Sequence, residues 1–500
     1  MDNKTKAITG LGVMASSLLM PQVAHAQQRP NIIFIYTDDM GYNDLGCYGS
    51  KVNDTPNIDR MADEGMRFTD FYASSPVSSP SRAGLMTGRY QTRQGINYVF
   101  QPYSLTGLSS DEVTIPEVLR PCGYSTVMYG KWHLGSHYEF RPKRQGFDEY
   151  FGSLYSIDNG PFVYVDGDAP DNKLAVKDST TYVYTTKACH YIEEHKNKGP
   201  FFMYLAYNMP HVPLYATEKF LGKSRNGLYG DVIMELDWGV GEILKTVKEA
   251  GIDENTIICF ASDNGPWLHE GPYGGNADPL YSGKSTTWDG GLRVPMIVRW
   301  PGHIKPKQVE SSVACMMDWF VTFAKMVGGT IPEDRFIDGY DIMPVLLGTG
   351  QRANQDFAYI SSHVLKDSDV SAYRSGDWKI KLPEPFEQGN YWYPDEPAHD
   401  TLLFNLREDI GEHINVKDEH PEIVKMLCDK IDSLRNTEGF FSEPLLQFDP
   451  WTGGVTTDQR RENILKAAKA GIKPKSKNGE YMLENYRLQD KLNKAGANTY

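Results

Sequence analysis

Cysteine is scarce in this sequence, which contains six cysteines in 500 residues and no C-x-x-C pair. The absence of closely spaced pairs argues against a cysteine-ligated metal site, whose thiolates usually come in such pairs. A chain of this length can bury enough core to fold without disulfides, so buried thiols and disulfides both remain open. The positions are Cys47, Cys122, Cys189, Cys259, Cys315 and Cys428.

Long apolar runs are also missing, because no stretch after residue 26 reaches the roughly 18 apolar residues of a membrane-spanning helix. At the amino terminus, Lys4 and Lys6 precede a shorter run of apolar and small residues at 7–19, and residues 24–26 read Ala-His-Ala. This pattern is typical of a secretory signal peptide over residues 1–26. A short buried helix is the alternative, but it requires neither the cationic start nor the small-residue exit. We therefore expect an exported protein, periplasmic or secreted, without a membrane span.

Positive charge is in deficit, since 51 Lys and Arg face 65 Asp and Glu and give a formal net charge of −14. This balance argues against general binding to nucleic acid or to anionic membranes. The negative net charge does not exclude a small anionic substrate, because a local cluster of cationic side chains can determine the electrostatic potential inside a cleft. The composition, 40% hydrophobic and 23% charged, is that of a globular protein.

Apolar runs alternate with helical patterns along the chain. The run NIIFIYT is typical of a parallel strand that is buried on both faces. Strands that alternate with helices predict an α/β sandwich with a mostly parallel sheet. The predicted strands are 31–37, 125–129, 201–206, 256–262 and 294–300, and the helical patterns between them include 55–62 and 229–250.

Polar residues follow the predicted strands at their carboxyl ends, where ligands bind in open α/β sheets. Four side chains offer hard oxygen ligands that suit calcium or magnesium, namely Asp38, Asp39, Asp263 and Asn264. Five others are cationic or donor groups suited to a tetrahedral oxyanion, namely Arg82, Lys131, His133, His211 and Lys284. Each has a plain structural alternative: an Asp pair often caps a turn, and a single histidine is more often structural. Their joint placement at one sheet edge favours a functional site.

The stretch SSPSRAGLMTGR at residues 78–89 carries the most specific pattern. It resembles the signature C/S-x-P-S-R-x-x-x-L-T-G-R of the formylglycine-dependent sulfatases in the alkaline phosphatase superfamily, and residues 130–135 (GKWHLG) resemble the second signature of that family. The resemblance extends from about residue 30 to RSGDWK at 374–379 and LFNL at 403–406. It therefore covers most of the chain.

The resemblance implies that Ser78 is oxidised after synthesis to formylglycine, whose aldehyde hydrates to a gem-diol. One oxygen of the diol then attacks sulfur and displaces the sugar alcohol, and the other is deprotonated to expel sulfate. Arg82 would hold the hydrate at a helix N-terminus that favours anions. The family more often has Cys at this position, so a serine implies an anaerobic formylglycine-generating maturase as partner and an anaerobic bacterium as source. An engineered Cys-to-Ser exchange would give the same sequence.

The same resemblance assigns the other groups. Asp38, Asp39, Asp263 and Asn264 correspond to the metal ligands, with modified Ser78 completing the shell of one calcium ion. Lys131 and Lys284 would clamp sulfate. His211 would protonate the leaving oxygen, and His133 would be the hydrogen-bond partner of the hydrate and the base that deprotonates it. The sequence does not show which of the two histidines has the higher pKa, so it does not fix this division of roles.

The resemblance also implies an alkaline phosphatase-like sandwich, a large mixed and mostly parallel sheet between helices, with a smaller C-terminal α+β subdomain that has a four-stranded antiparallel sheet. Residues 372–382 and 401–406 suggest short strands, and 421–437 one amphipathic helix. We predict a signal peptide at 1–26, a catalytic domain at 27–365, a C-terminal subdomain at 366–455 and a basic helix and tail at 456–500. The tail either wraps the domain or contributes to the substrate pocket.

Residues 263–295 resemble the branch that contains arylsulfatase A and N-acetylgalactosamine sulfatase. This favours a galactose or N-acetylgalactosamine sulfate of host or algal glycans, cut from a chain end. Sugar-stacking candidates are Trp267, His269, Tyr273, Trp392 and Tyr393, which could equally be packing residues. The rival functions are a phosphodiesterase or phosphonate hydrolase of the same superfamily, a non-catalytic sulfoglycan-binding protein and a purely structural exported protein.

Overall fold

The computed structural model describes residues 29–442, except 103, 105, 160–161, 175, 363–367 and 385–397. The predicted signal peptide, the predicted tail, Trp392 and Tyr393 lie outside the described residues. The strands are β1 Asn31–Thr37, β2 Met66–Phe68, β3 Phe71–Tyr72, β4 Ser125–Lys131, β5 Glu149–Ser153, β6 Val163–Asp166, β7 Ala169–Leu174, β8 Phe201–Ala206, β9 Thr256–Ser262, β10 Met296–Arg299, β11 Gln308–Glu310, β12 Ala314–Cys315, β13 Asp356–Ile360, β14 Val370–Ser375, β15 Trp378–Lys381 and β16 Leu402–Asn405. The α-helices are α1 Pro56–Asp63, α2 Ser78–Thr87, α3 Ile115–Leu119, α4 Thr180–His195, α5 Gly227–Glu249, α6 Asp289–Leu292, α7 Asp318–Val327, α8 Met343–Leu346 and α9 Pro421–Arg435.

A ten-stranded sheet organises the larger part of the molecule, in the order β11-β2-β10-β9-β1-β8-β4-β5-β6-β7. Its centre, β9-β1-β8-β4-β5, is parallel throughout. Towards the edges, β10 runs antiparallel to β9 and β2, and β6 runs antiparallel to β5 and β7. The predicted mixed, mostly parallel sheet is confirmed, and its parallel centre brings the carboxyl ends of five strands to one edge.

Both faces of this sheet are buried, which explains why the central strands are apolar without alternation. On β1, Ile32 and Phe34 belong to one core, and Ile33 and Ile35 belong to the core on the opposite face. Apolar side chains of α2, α3 and α7 contribute to the first core, and those of α1, α4 and α5 to the second. The sheet is therefore a middle layer between helices, as predicted.

A second, antiparallel sheet of four strands, β13-β14-β15-β16, forms the smaller part of the fold. Helix α9 packs on it through Leu427 and Ile431, which are buried in a core shared with β14 and β15. This confirms the predicted α+β subdomain. The sheet begins with β13 at Asp356, upstream of residue 366 where the subdomain boundary is predicted.

The six cysteines are all free thiols in the structure. Of the two alternatives that the sequence left open, thiols and disulfides, the structure therefore has thiols at these six positions. Within the described part of the chain, no helix has both the length and the apolar composition needed to cross a membrane.

Candidate active site

The side chains singled out by the sequence converge at the carboxyl edge of the parallel centre. Asp38 and Asp39 follow β1, Lys131 ends β4, and Asp263 and Asn264 follow β9. His133 and His211 lie just beyond β4 and β8, while Ser78 and Arg82 lie in the first turns of α2. All of these side chains, together with Lys284, are buried. The convergence follows from the parallel register, which aligns Thr37 at the end of β1 with Ser262 at the end of β9.

Three carboxylates form the centre of the site. Oxygen atoms of Asp38, Asp39 and Asp263 lie within 4.8 Å of one another. Asp39 has a left-handed backbone (φ 65°), and its N–H donates to Asp263 Oδ1 at 3.1 Å. A non-glycine residue held in this conformation stores strain of the kind that clusters at functional sites. Buried carboxylates this close require positive charge nearby.

Asn264 completes a donor set that fits a hard cation. Its Nδ2 donates to Asp39 Oδ1 at 2.7 Å, and its Oδ1 is buried with no hydrogen-bond partner in the described residues. A buried amide oxygen without a partner is costly unless a ligand satisfies it. Three carboxylates and one amide oxygen are donors that suit calcium rather than zinc. The residues present therefore fit the ion predicted from the sequence.

Two buried cations flank the carboxylates. Arg82 donates from Nε (3.0 Å) and from a terminal nitrogen (2.7 Å) to Asp263 Oδ2. Lys131 Nζ lies 2.6 Å from Asp38 Oδ2. Burial by itself raises the pKa of Asp38, but the charges of Lys131 and Arg82 hold that pKa below its usual value. Asp38 is therefore ionised at neutral pH.

Ser78 is the first residue of α2 and lies between opposite charges. Its Oγ donates to Asp38 Oδ1 at 3.1 Å and accepts from Lys131 Nζ at 3.2 Å. The N-terminus of a helix also favours negative charge through its free N–H groups. An anion formed at this position would be stabilised by the helix end and by Lys131.

Lys284 and His211 form the other wall. Lys284 Nζ donates to Asp39 Oδ2 (2.7 Å) and to His211 Nε2 (3.1 Å), and it lies 4.1 Å from the ring centroid of Trp267. Because an ammonium group only donates, His211 Nε2 is the acceptor, and its Nδ1–H donates to the Val212 carbonyl. This arrangement makes His211 a neutral imidazole with Nε2 turned towards the site.

His133 occupies a different environment. Its Nε2–H donates to the Phe100 carbonyl at 2.9 Å, and its buried Nδ1 has no partner in the described residues. Burial, with Lys131 and Arg82 nearby, holds the pKa of His133 well below its usual value. His133 is therefore neutral and offers Nδ1 as an acceptor.

A cavity of about 480 Å³ is lined in part by Val212, the residue that follows His211. One wall is apolar, and Tyr273, half exposed, belongs to the lining. Of the three predicted sugar contacts that lie in the described residues, Tyr273 lines this cavity. Trp267 instead packs against Lys284 and, edge-on, against the ring of His211 at 5.4 Å, and His269 is exposed. The lining residues are Asp158, Val212, Pro213, Leu214, Leu228, Glu270 and Tyr273.

Two residues of this edge were missed by the sequence reasoning. Ser156 Oγ accepts from Lys131 Nζ at 3.3 Å, and Asp158 lines the cavity. Both follow β5, a strand that lies parallel to β4 and ends at the same edge. The segment EYFGS, which forms β5, is short and only partly apolar, so it was not among the predicted strands. Recognising it would have directed attention to the residues after it.

Comparison with known proteins agrees with this geometry. The family model described as Sulfatase matches residues 30–329. Mouse (Mus musculus) N-acetylgalactosamine-6-sulfatase is 37% identical over 445 residues, covering 81% of this chain and 84% of the mouse protein. Human (Homo sapiens) arylsulfatase A is 35% identical over 461 residues, covering 83% and 90%. A structure from work on glycosaminoglycan metabolism by Bacteroides thetaiotaomicron has a TM-score of 0.74 at 28% identity, covering 82% of this chain and 99% of that one.

Proposed function

Because this chain belongs to the sulfatase family and is a sulfuric ester hydrolase, we propose that it removes sulfate from a terminal galactose or N-acetylgalactosamine, using formylglycine made from Ser78. The observation that supports this most directly is the position of Ser78, first in α2 and in contact with both Asp38 and Lys131. A serine hydroxyl is a weak nucleophile, and no histidine is among its described hydrogen-bond partners. Hydrated formylglycine would supply a second hydroxyl on the same carbon, and deprotonation of that hydroxyl would expel sulfate and regenerate the aldehyde without attack of water on the sulfated intermediate.

The metal ligands in this proposal are Asp38, Asp39, Asp263 and Asn264, with modified Ser78. Calcium bound there would lower the pKa of the hydrate and offset the negative charge on the sulfate oxygens. Arg82 donates two hydrogen bonds to Asp263 Oδ2 and so holds that ligand in place.

Lys131 and Lys284 would bind sulfate oxygens from two sides. Lys131 reaches Asp38 and Ser78, and Lys284 reaches Asp39 and His211, so each ammonium group lies between a metal ligand and a reacting group. This arrangement would orient the ester with its bridging oxygen towards His211.

The two histidines divide the proton transfers in this proposal. A sugar alkoxide is a poor leaving group, so an acid must protonate the bridging oxygen, and His211 Nε2 lies 3.1 Å from Lys284 Nζ, which would bind sulfate. To act, His211 must first be protonated at Nε2, the atom that now accepts from Lys284. His133, neutral with Nδ1 open, would accept the proton from the hydrate when sulfate is expelled.

The sugar would occupy the cavity that Val212 lines in part. Its apolar wall and the Tyr273 ring suit the face of a pyranose, and the Asp158 and Glu270 carboxylates can accept hydrogen bonds from hydroxyl groups. The relatives named N-acetylgalactosamine-6-sulfatase support a galactosamine-type sugar.

The substrate proposal is tested with matured enzyme on a panel of monosulfated sugars. We expect turnover of galactose and N-acetylgalactosamine sulfates, and at least about ten-fold lower kcat/KM for their glucose-configured counterparts, since one unpaired hydroxyl in a fitted site costs about that factor. Equal kcat/KM across the panel would contradict the assignment of the sugar.

The predicted signal peptide and export are part of the proposal. The fate of residues 1–26 is read from the amino-terminal sequence of protein recovered from cells, which we expect to begin after Ala26. Retention of these residues in a cytoplasmic protein would contradict export.

A phosphodiesterase or phosphonate hydrolase is the second candidate, and one observation favours it. The Ser78 hydroxyl already donates to Asp38, so an unmodified serine has an acceptor for its proton. Relative kcat/KM on matched sulfate and phosphate esters separates the two functions.

A further inference from the structure

The loop at residues 281–291, called here the Lys284 loop, contacts several parts of the site through its backbone. Lys284 N–H donates to the Pro266 carbonyl, and Ser285 N–H donates to the carbonyl of Pro76, two residues before Ser78. Ser285 is held in the left-handed region (φ 72°). The loop thus joins the segment after β9 to the segment before α2.

Close packing makes this contact intolerant of movement. Gly265 N–H donates to the Gly291 carbonyl at 2.9 Å, and a Cβ atom at Gly265 would lie 1.8 Å from the carbonyl oxygen of Gly290. A shift of the loop by a fraction of an ångström would therefore change the positions of both Asn264 and Lys284.

The small sheet holds the same loop from the opposite side. From β15, Lys379 Nζ contacts Asp289 Oδ1 at 3.0 Å, and Lys381 Nζ donates to Thr287 Oγ1 at 2.8 Å. Glu412 accepts from the Asp289 N–H at 2.7 Å and pairs with Lys379 at 2.6 Å. Lys379, Asp289 and Glu412 thus form a closed triad between the small sheet and the loop.

The triad is buried and has further polar partners. Asp289 and Lys379 are fully buried, and Glu412 is 4% exposed. Asp289 also accepts from Tyr359 (2.6 Å), Tyr72 (3.0 Å) and Arg293 (3.2 Å). A buried ion pair contributes little net stability compared with apolar packing, but its hydrogen bonds fix geometry. This arrangement is therefore better explained by a role in positioning the Lys284 loop than by a role in stabilising the fold.

We propose that Lys379 is a positioning residue for sulfate ester hydrolysis, acting with Glu412 to hold Asp289 and the Lys284 loop so that the Lys284 ammonium stays against Asp39 and His211. The inference rests on the proposed role of Lys284. It makes the C-terminal sheet, which supplies no reacting group, a determinant of rate.

The test compares Lys379→Met with two controls in the same subdomain. Lys430→Met removes a lysine that is about a third exposed and pairs with Asp356. Ile431→Ala removes buried volume from the subdomain core without touching the triad, and it is expected to lower the melting temperature. Each preparation is normalised to its formylglycine fraction by peptide mass and assayed well below its melting temperature on nitrophenyl sulfate, with inorganic sulfate as inhibitor.

We expect Lys379→Met to lower kcat/KM by about 10- to 100-fold and to raise the inhibition constant of sulfate, because small misplacements of a binding group cost factors of this size. Lys379→Arg should restore part of the loss. Ile431→Ala should lose melting temperature but keep kcat/KM within about two-fold, and Lys430→Met should change neither. If Lys379→Met does not fold, Lys381→Met carries the test, with a smaller loss in the same direction.

Lys379→Met, or Lys381→Met in its place, with unchanged kcat/KM and unchanged sulfate inhibition would overturn the proposal. A loss of kcat/KM in Ile431→Ala equal to that of Lys379→Met would also overturn it, since the effect would then be general destabilisation. Failure of the proposed function is distinguishable, because matured wild-type protein would itself be inactive on sulfate esters.

Discussion

The two histidines of the site share a residue type but differ in what their nitrogen atoms contact. His211 receives a hydrogen bond from Lys284 at Nε2, whereas His133 is anchored through Nε2 and leaves Nδ1 open. Their positions were predictable from GKWH and NMPH after two strands. Their tautomers were not, because they depend on the Lys284 ammonium group and on the Phe100 carbonyl, which only the folded chain brings near.

The proposed role of His211 as the acid predicts a dependence on the leaving group. His211→Ala should lower kcat/KM by about 100-fold or more on a sugar sulfate and by a much smaller factor on nitrophenyl sulfate, whose leaving group needs little protonation. The measurement is kcat/KM for both esters with one preparation of wild type and variant. Equal losses on the two esters would remove His211 as the acid.

Secondary-structure elements with one clear pattern were predicted closely. The apolar runs at 31–37, 201–206 and 256–262 coincide with β1, β8 and β9, and the helical pattern at 229–250 nearly coincides with α5. The run at 294–300 was also a strand, β10, but its antiparallel pairing with β9 was not foreseeable from its composition. Strand direction depends on the path of the loop before it, and here that path is the Lys284 loop.

Helix α5 presents a buried carboxylate whose behaviour with pH can be tested. Asp237 accepts hydrogen bonds from the N–H groups of Asn57 and Ile58 at the start of α1. Burial raises the pKa of Asp237 to about 6, although these hydrogen bonds oppose the shift. A carboxyl with a raised pKa in the folded state stabilises the fold below its unfolded pKa and loses that contribution as pH rises through about 6.

Asp237→Asn should therefore gain stability relative to wild type as pH rises from 4 to 7, by about 2 kcal/mol. The measurement is urea unfolding of both proteins at the two pH values. Glu249→Gln, at the exposed end of the same helix, is the matched control and should show no such change. A difference between Asp237→Asn and wild type that does not vary with pH would contradict the raised pKa.

At the scale of the whole molecule, the parallel sheet explains why a site built from distant residues could be predicted. Asp38 and Asp263 are far apart in sequence, yet both follow strands whose ends align. What could not be predicted was the support from outside the sheet. Lys379 ends the RSGDWK stretch, to which the sequence assigned no chemical role, Glu412 lies outside the quoted motifs, and Ser156 follows a strand without a clear pattern.

Calcium should couple the site to the stability of the whole fold. Removing it with EDTA should abolish turnover and lower the melting temperature, and adding calcium should restore both, since a ligand at 100 times its Kd stabilises the folded state by about 2.7 kcal/mol. The measurements are sulfate release and thermal unfolding of one preparation before and after chelation. Full activity of metal-free protein would end the metal assignment.

The central claim is that Ser78 becomes formylglycine, and mass spectrometry of the peptide containing residues 78–82 beside a sulfate-release assay tests it most directly. Co-expression with an anaerobic maturase should remove two hydrogens from Ser78 and create an aldehyde there. Ser79 and Ser81 should stay unchanged. Sulfate release should rise in proportion to the modified fraction, and Ser78→Ala should fold but release none. Full sulfate release from protein whose Ser78 remains an unmodified serine would contradict the account.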